Sequence, residues 1–252
     1  MTELIASPTI LVPIDMHGIN PAALEIIVGI ARQRRCGLLG LILEDLRLQQ
    51  VADLPFTTEI ILGSGRERGL LRDSLAQQYR KVTLDTRRRL TELANRGQVA
   101  LTFDQAVGPR LLTALARDKQ LDIFFPARHR WRVATSAAGP SIARLGIVQS
   151  GGEQDMRVLE MSGAFARTGL VREIYIFTDK SIPPEQLREL TVHSTRVCVQ
   201  PTRVVDSGAL TRLIRHSPYD LLILPRDGLV NIQPDALDAA LDESASEVML
   251  VN

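Results

Sequence analysis

Cysteine, histidine and tryptophan are all scarce in this chain, and each scarcity closes off a class of function. Two cysteines, Cys36 and Cys198, make neither a zinc spacing nor a disulfide framework, and four scattered histidines add no ligand cluster. A reduced, cytoplasmic compartment is the economical reading. Charge of one sign is missing too: 30 basic residues meet 29 acidic ones for a net charge of +1, which gives no global pull toward nucleic acid or anionic lipid. No run approaches the roughly 18 apolar residues of a membrane span. The opening MTELIASP carries neither the basic nor the apolar region of a signal peptide. Nothing along the chain sets a nucleophile, a base and an orienting group in one neighbourhood, so the sequence speaks against an enzyme. What is present is apolar residue enough, 45% of 252, to build cores for one large or two small domains.

The apolar residues are arranged twice over. TILVPIDMHGINPAALEIIVGIA, residues 9–31, and RLGIVQSGGEQDMRVLEMSGAFA, residues 144–166, superpose without a gap, Leu145 on Ile10, with Leu24/Leu159, Glu25/Glu160 and Ala31/Ala166 identical. Each copy reads as a short apolar strand, a polar turn and a helix with an apolar stripe. A second echo follows, LDIFFPARH at 121–129 and YDLLILPRDG at 219–228, each an Asp before an apolar run that ends in Pro and soon reaches Arg.

The patterning predicts strands at 9–14, 38–43, 98–104 and 121–125 alternating with helices at 20–34, 70–95 and 109–118. The second copy predicts strands at 144–149, 172–178, 195–200, 219–224 and 247–251, with helices at 153–168, 184–192, 207–215 and 234–241. Its last strand, EVMLVN, has no evident counterpart in the first copy. Alternation of this kind demands right-handed crossovers and parallel strands covered on both faces, and ILVPI, LLGLIL and DIFF are apolar without alternation, as such strands should be. The junction falls in WRVATSAAGPS, 131–141, whose small residues, Gly139 and Pro140 suit a linker. The domains expected are therefore 1–135, with an insertion at 44–69, and 143–252.

ILVPID before a polar turn and an apolar helix, then LLGLILEDL, a long helix, VALTFDQAVG and LDIFFPARH, resembles the universal stress protein family, over nearly the whole chain and twice. The resemblance implies two tandem parallel five-stranded subdomains of order 3-2-1-4-5, of the adenine nucleotide α-hydrolase-like kind. It also implies a pseudo-dimer within one chain, leaving a homodimer open, with the two sheets related by a pseudo-twofold. The function it implies is stress-response-associated binding or regulation, through a protein partner or a small phosphate ligand, with ATP or AMP as the family's ligand.

By that resemblance Asp15, ending the first strand, touches the ribose; Pro13 and Ile14 lie beside the base; and Leu43 offers backbone groups to adenine. An acid at a strand's carboxyl end can accept from ribose hydroxyls, although Asp15 could also serve as a helix cap in competition with Asn20. The family's glycine pattern after the fourth strand brings backbone amides close to phosphates. Here the matching positions hold Ala127, Arg128, His129 and Arg130, onward to Pro140 and Ser141, so the glycines are gone. Arg128, Arg130 and Arg132 around Trp131 could hold a phosphate by guanidinium forks instead, or form a basic interdomain loop. In copy two Ser150 replaces the acid, and of the later glycines only Gly228 survives.

SGGEQD at 150–155 makes Ser150, Gly151, Gly152 and Gly228 a second anion-site candidate, similar to the SGG loop of PP-loop pyrophosphatases but with the acidic spacing altered. The alternative function is accordingly a nucleotide-hydrolysing or adenylating enzyme using Asp15 with the 127–132 loop, or the SGG turn. The insertion reads as a lid, and its EIILGSGRERGLL, with Gly63, Gly65 and Gly69, also fits a weak dinucleotide loop or a linker. The basic face of the 70–95 helix, without aromatics, reads as solvated or as a dock for an acidic partner, not as a nucleic-acid surface.

Overall fold

The strands that the apolar runs foretell are present in the computed structural model, which describes residues 8–44, 50–61, 64–128, 142–192, 195–201 and 207–252. The strands are β1 (Thr9–Ile14), β2 (Gly37–Glu44), β3 (Thr58–Ile61), β4 (Arg66–Gly69), β5 (Leu101–Val107), β6 (Asp122–Phe125), β7 (Arg144–Val148), β8 (Glu173–Thr178), β9 (Arg196–Pro201), β10 (Leu221–Pro225) and β11 (Glu247–Val251). The helices are α1 (Pro21–Arg34), α2 (Arg72–Gly97), α3 (Arg110–Arg117), α4 (Asp155–Arg167), α5 (Pro184–Leu190), α6 (Ser207–Arg215) and α7 (Pro234–Glu243). The third strand of the first half lies three residues later than the pattern predicts, because α2 runs on to Gly97 and ends with Gln98 in the left-handed conformation.

The strands form one nine-stranded sheet of order β5-β2-β1-β6-β11-β10-β7-β8-β9. Its C-terminal part, β9-β8-β7-β10-β11, has the predicted 3-2-1-4-5 order. The N-terminal part, β5-β2-β1-β6, has the same order through its fourth strand and stops there. Two separate sheets are expected from the sequence, and a single continuous one is found. The seam is antiparallel, with Phe125 opposite Val248, Phe124 opposite Met249 and Ile123 opposite Leu250. The physical reason lies in β6, whose four residues are all buried. An apolar strand of that kind cannot be left as an open edge, and β11 takes the place of the fifth strand that the first half lacks.

Alternate side chains of each strand feed two cores. One contains Ile10, Val12 and Ile14 of β1 packed with α1, α2, α4 and α5; the other contains Leu11, Leu41 and Phe125 packed with α3, α6 and α7. Asn20 caps α1, its side chain accepting from the Ala22 amide at 3.0 Å, which leaves Asp15 out of the cap and available to the sheet's carboxyl edge. The two echoed aspartates tie strands together: Asp220 accepts from the Ala143 and Arg144 amides, both at 3.0 Å, and Asp122 accepts from Asn252 at 3.0 Å.

The insertion contains a hairpin, with Thr58 paired to Gly69 and Ile61 to Arg66. That corrects the dinucleotide-loop reading, which needs a strand leading through glycines straight into a helix; here the chain reverses and Gly69 sits in a second strand. Gly63 lies outside the described residues. On α2, Asp85 pairs with Arg88 at 2.7 Å and Arg89 at 2.9 Å, so part of the basic face is balanced along the helix itself. No helix among the described residues is long and apolar enough to cross a membrane.

Candidate functional site

β1 pairs with β2 along its length but with β6 only at Ile10 and Leu11. Beyond that point the neighbours diverge, and Pro13, which has no amide to offer, lies in the stretch without a β6 partner. The divergence sits where strand order turns back on itself, the place where open α/β sheets form a crevice. A cavity of about 450 Å³ opens there, lined among others by Asp15, Leu43, Val51, Leu75, Tyr79, Arg110, Arg128 and Asp242. Its size lies within the range of about 300–1,000 Å³ usual for small-molecule sites.

Asp15 is only 8% exposed. The chain turns sharply after it, with Gly18 at φ +69 donating its amide to the Asp15 carbonyl at 3.1 Å, and the turn brings the His17 amide to Asp15 Oδ1 at 2.9 Å. Arg128 Nη2 donates to Asp15 Oδ2 at 2.5 Å, and its Nη1 meets Asp242 Oδ2 at 2.5 Å. Asp242 lies on α7, so Arg128 ties the first strand's acid to the last helix. Burial pushes the Asp15 carboxyl upward, but Arg110 and Arg128, with the His17 amide, outweigh it and hold the group below the ordinary carboxylate value. Partial burial has the upper hand at Asp242 and raises its carboxyl in spite of Arg128 and Arg110.

Arg110, 6% exposed, is the central cation. Its Nη2 donates to the Pro126 carbonyl at 2.7 Å, and its guanidinium lies 5.3 Å from the centre of the Phe125 ring. Its Nε and Nη1 have no hydrogen-bond partner among the described residues, although Asp15 and Asp242 each stand 4.0 Å away. Buried guanidinium N–H groups without an acceptor carry a desolvation cost, and both of these nitrogens are shielded from solvent. Tyr79, whose phenol is pushed upward by burial and by Glu44, stays neutral and also lines the cavity, with apolar Leu75, Ala76 and Val51.

No protein-family model matches the sequence, and no curated protein matches it. Among solved structures the chain is similar to a universal stress protein from Archaeoglobus fulgidus DSM 4304, at 10% identity, over 97% of this chain and 96% of that one, with a TM-score of 0.51. The fold is that of a universal stress protein. Two further structures of that description bear no weight. One, from Pseudomonas aeruginosa UCBPP-PA14, reaches a TM-score of 0.40 at 12% identity over 98% of this chain and 93% of that one. The other, from Burkholderia pseudomallei, reaches 0.25 at 16% identity over 79% and 98%.

Within this universal-stress-type frame the candidate residues of the first half fall into three groups. Asp15, Leu43 and Arg128 line the cavity. Pro13 and Ile14 are buried behind it in β1, paired with Leu41 and Ile42. Ala127 is turned to structural use, its amide donating to the buried carboxylate of Glu247 at 2.6 Å, so it has no amide to give a phosphate. Arg130 and Ser141, with His129, Trp131 and Arg132, lie outside the described residues.

The second candidate site is assembled but internally satisfied. Asp155 accepts from the Ser150 and Gly151 amides, both at 2.9 Å, which places a carboxylate where an anion would sit. Ser150 Oγ donates to Asp227 at 3.1 Å, and Lys180 Nζ donates to the Gly151 carbonyl at 2.8 Å. Asp227 crowds Gly152 so closely that a Cβ there would stand 2.2 Å from its Oδ2, and Gly228 packs beside Ser150.

Arg110, Asp242 and Tyr79 are site residues that the sequence reading passes over. A faint signal exists for two of them. Arg110 opens a helix and Asp242 sits in the last turn of one, both against the helix dipole, a placement that costs stability unless other charges compensate.

Proposed function

We propose that this chain is a binding or regulatory protein of universal stress type, built as two tandem subdomains, and that its ligand site is the cavity beside Asp15 in the first. The ligand class that the site supports best is an adenine nucleotide or another molecule carrying a phosphate. Arg110 carries this reading: its guanidinium, buried in the wall of a cavity large enough for a small molecule, has two nitrogens without a hydrogen-bond partner among the described residues. The apolar wall of Leu43, Val51, Leu75 and Ala76 suits a flat ring. The glycine-amide cradle is absent at 127 and 128, so a phosphate here would be held by side chains. The enzyme alternative has less to stand on, because the SGG turn spends its amides on Asp155.

Calorimetric titration with AMP, ADP and ATP tests this, using the wild type and Arg110→Gln, with thermal melts to show that both are folded. The wild type should bind at least one nucleotide at one site per chain. Arg110→Gln should weaken that binding by about tenfold or more, the worth of a charge-assisted hydrogen bond. A flat titration for the wild type, or equal affinity in the variant, contradicts the reading.

A further inference from the structure

Among the described residues that line the cavity, basic and acidic side chains are equal in number. Arg110 and Arg128 face Asp15 and Asp242, and Arg80 and Glu44 also line the cavity. Both terminal nitrogens of Arg128 are occupied by carboxylates, whereas Arg110 keeps Nε and Nη1 without a hydrogen-bond partner among the described residues. Each of those carboxylates is also a source of repulsion for any anion brought to Arg110. One anionic group can sit against Arg110; a chain of them would press further charge onto Asp15 or Asp242.

We infer that this cavity selects a ligand with a single anionic group on a largely apolar body, anchored by Arg110, and that Asp242 is the specificity residue that turns away polyanions. Asp242 belongs to α7, near the C-terminal end of the chain, so the last helix sets the selectivity of a cavity built mainly on the first strand. The chemistry required of the ligand is one phosphomonoester or carboxylate, with a ring or alkyl body against Leu43, Val51 and Leu75. This rests on the proposed ligand site and narrows it. Rejection by a like charge is a common device for specificity, since the wrong ligand is penalised while the right one need not gain.

Adenosine, AMP and ATP carry the same body with increasing charge, and their titration against the wild type, Arg110→Gln and Asp242→Asn reads the selectivity directly. The wild type should bind AMP about tenfold more tightly than either adenosine or ATP. Arg110→Gln should bring AMP down to the level of adenosine, and Asp242→Asn should improve ATP relative to AMP by about fivefold or more. Asp242 is partly exposed, and its amide replacement keeps the side-chain shape, so folding is preserved and melts will confirm it. ATP binding as tight as AMP in the wild type, with both dependent on Arg110, overturns the single-anion inference and leaves the ligand site standing. An unchanged ratio in Asp242→Asn removes Asp242 from the specificity role. Failure of all three ligands to bind overturns the site and the inference together.

Discussion

Asp15 is the residue on which the cavity's charge balance turns. Its folded value lies below the ordinary 3.8 because Arg110, Arg128 and the His17 amide outweigh burial, so its stabilising contribution is complete above 3.8 and is lost as pH falls through the lower folded value. Asp15→Asn should therefore cost about 3 kcal/mol in urea unfolding at pH 7, since it takes from two guanidinium groups one of the two carboxylates beside them. The gap from wild type should close as the pH falls below 3.8. A gap that stays constant down to the acid limit would mean that Asp15 works by packing. Asp242 has the opposite sign. With its folded value raised, the same linkage penalises its ionised form, and Asp242→Asn should be the milder substitution at neutral pH. Asp15 was legible in the sequence because it ends an apolar strand; Arg110 was not, since a buried arginine looks like any other arginine until its neighbours are known.

The turn joining β7 to α4 shows how an element can carry the letters of a ligand loop and serve itself. Asp155 receives two amides and caps the turn, so Asp155→Ala should lower stability by about 1–2 kcal/mol, measurable by urea unfolding, without any loss of nucleotide binding. Loss of binding in that variant would return the SGG turn to consideration. Strands and helices were readable from their apolar runs and spacing, Asn20 from its place before Pro21. The β3–β4 hairpin was not, because its second strand, Arg66–Gly69, is fully exposed and carries no apolar period. The same difficulty hid the fate of the Ala127 amide: its partner Glu247 lies 120 residues away, beyond any local pattern.

Across the whole molecule, the β6–β11 seam and the Arg128–Asp242 pair hold the two halves in one sheet with shared charges. Arg226 of the second half reaches back to the first, donating to the carbonyl of Asp118 at 2.8 Å and to that of Leu115 at the end of α3. Calorimetric unfolding should therefore show one cooperative transition, and two separable transitions would contradict the shared sheet. The absence of a fifth strand in the first half was visible in the sequence. That one strand would serve both halves could not be read from either copy alone, because it depends on which edge each leaves open. The claim that unites these scales is that Arg110 anchors an anionic ligand in the cavity. Native mass spectrometry of the purified wild type beside Arg110→Gln tests it most directly. The account predicts a small anionic molecule, retained or acquired from added AMP at one per chain by the wild type and missing from the variant; equal occupancy in both, or none in either with AMP in excess, would contradict it.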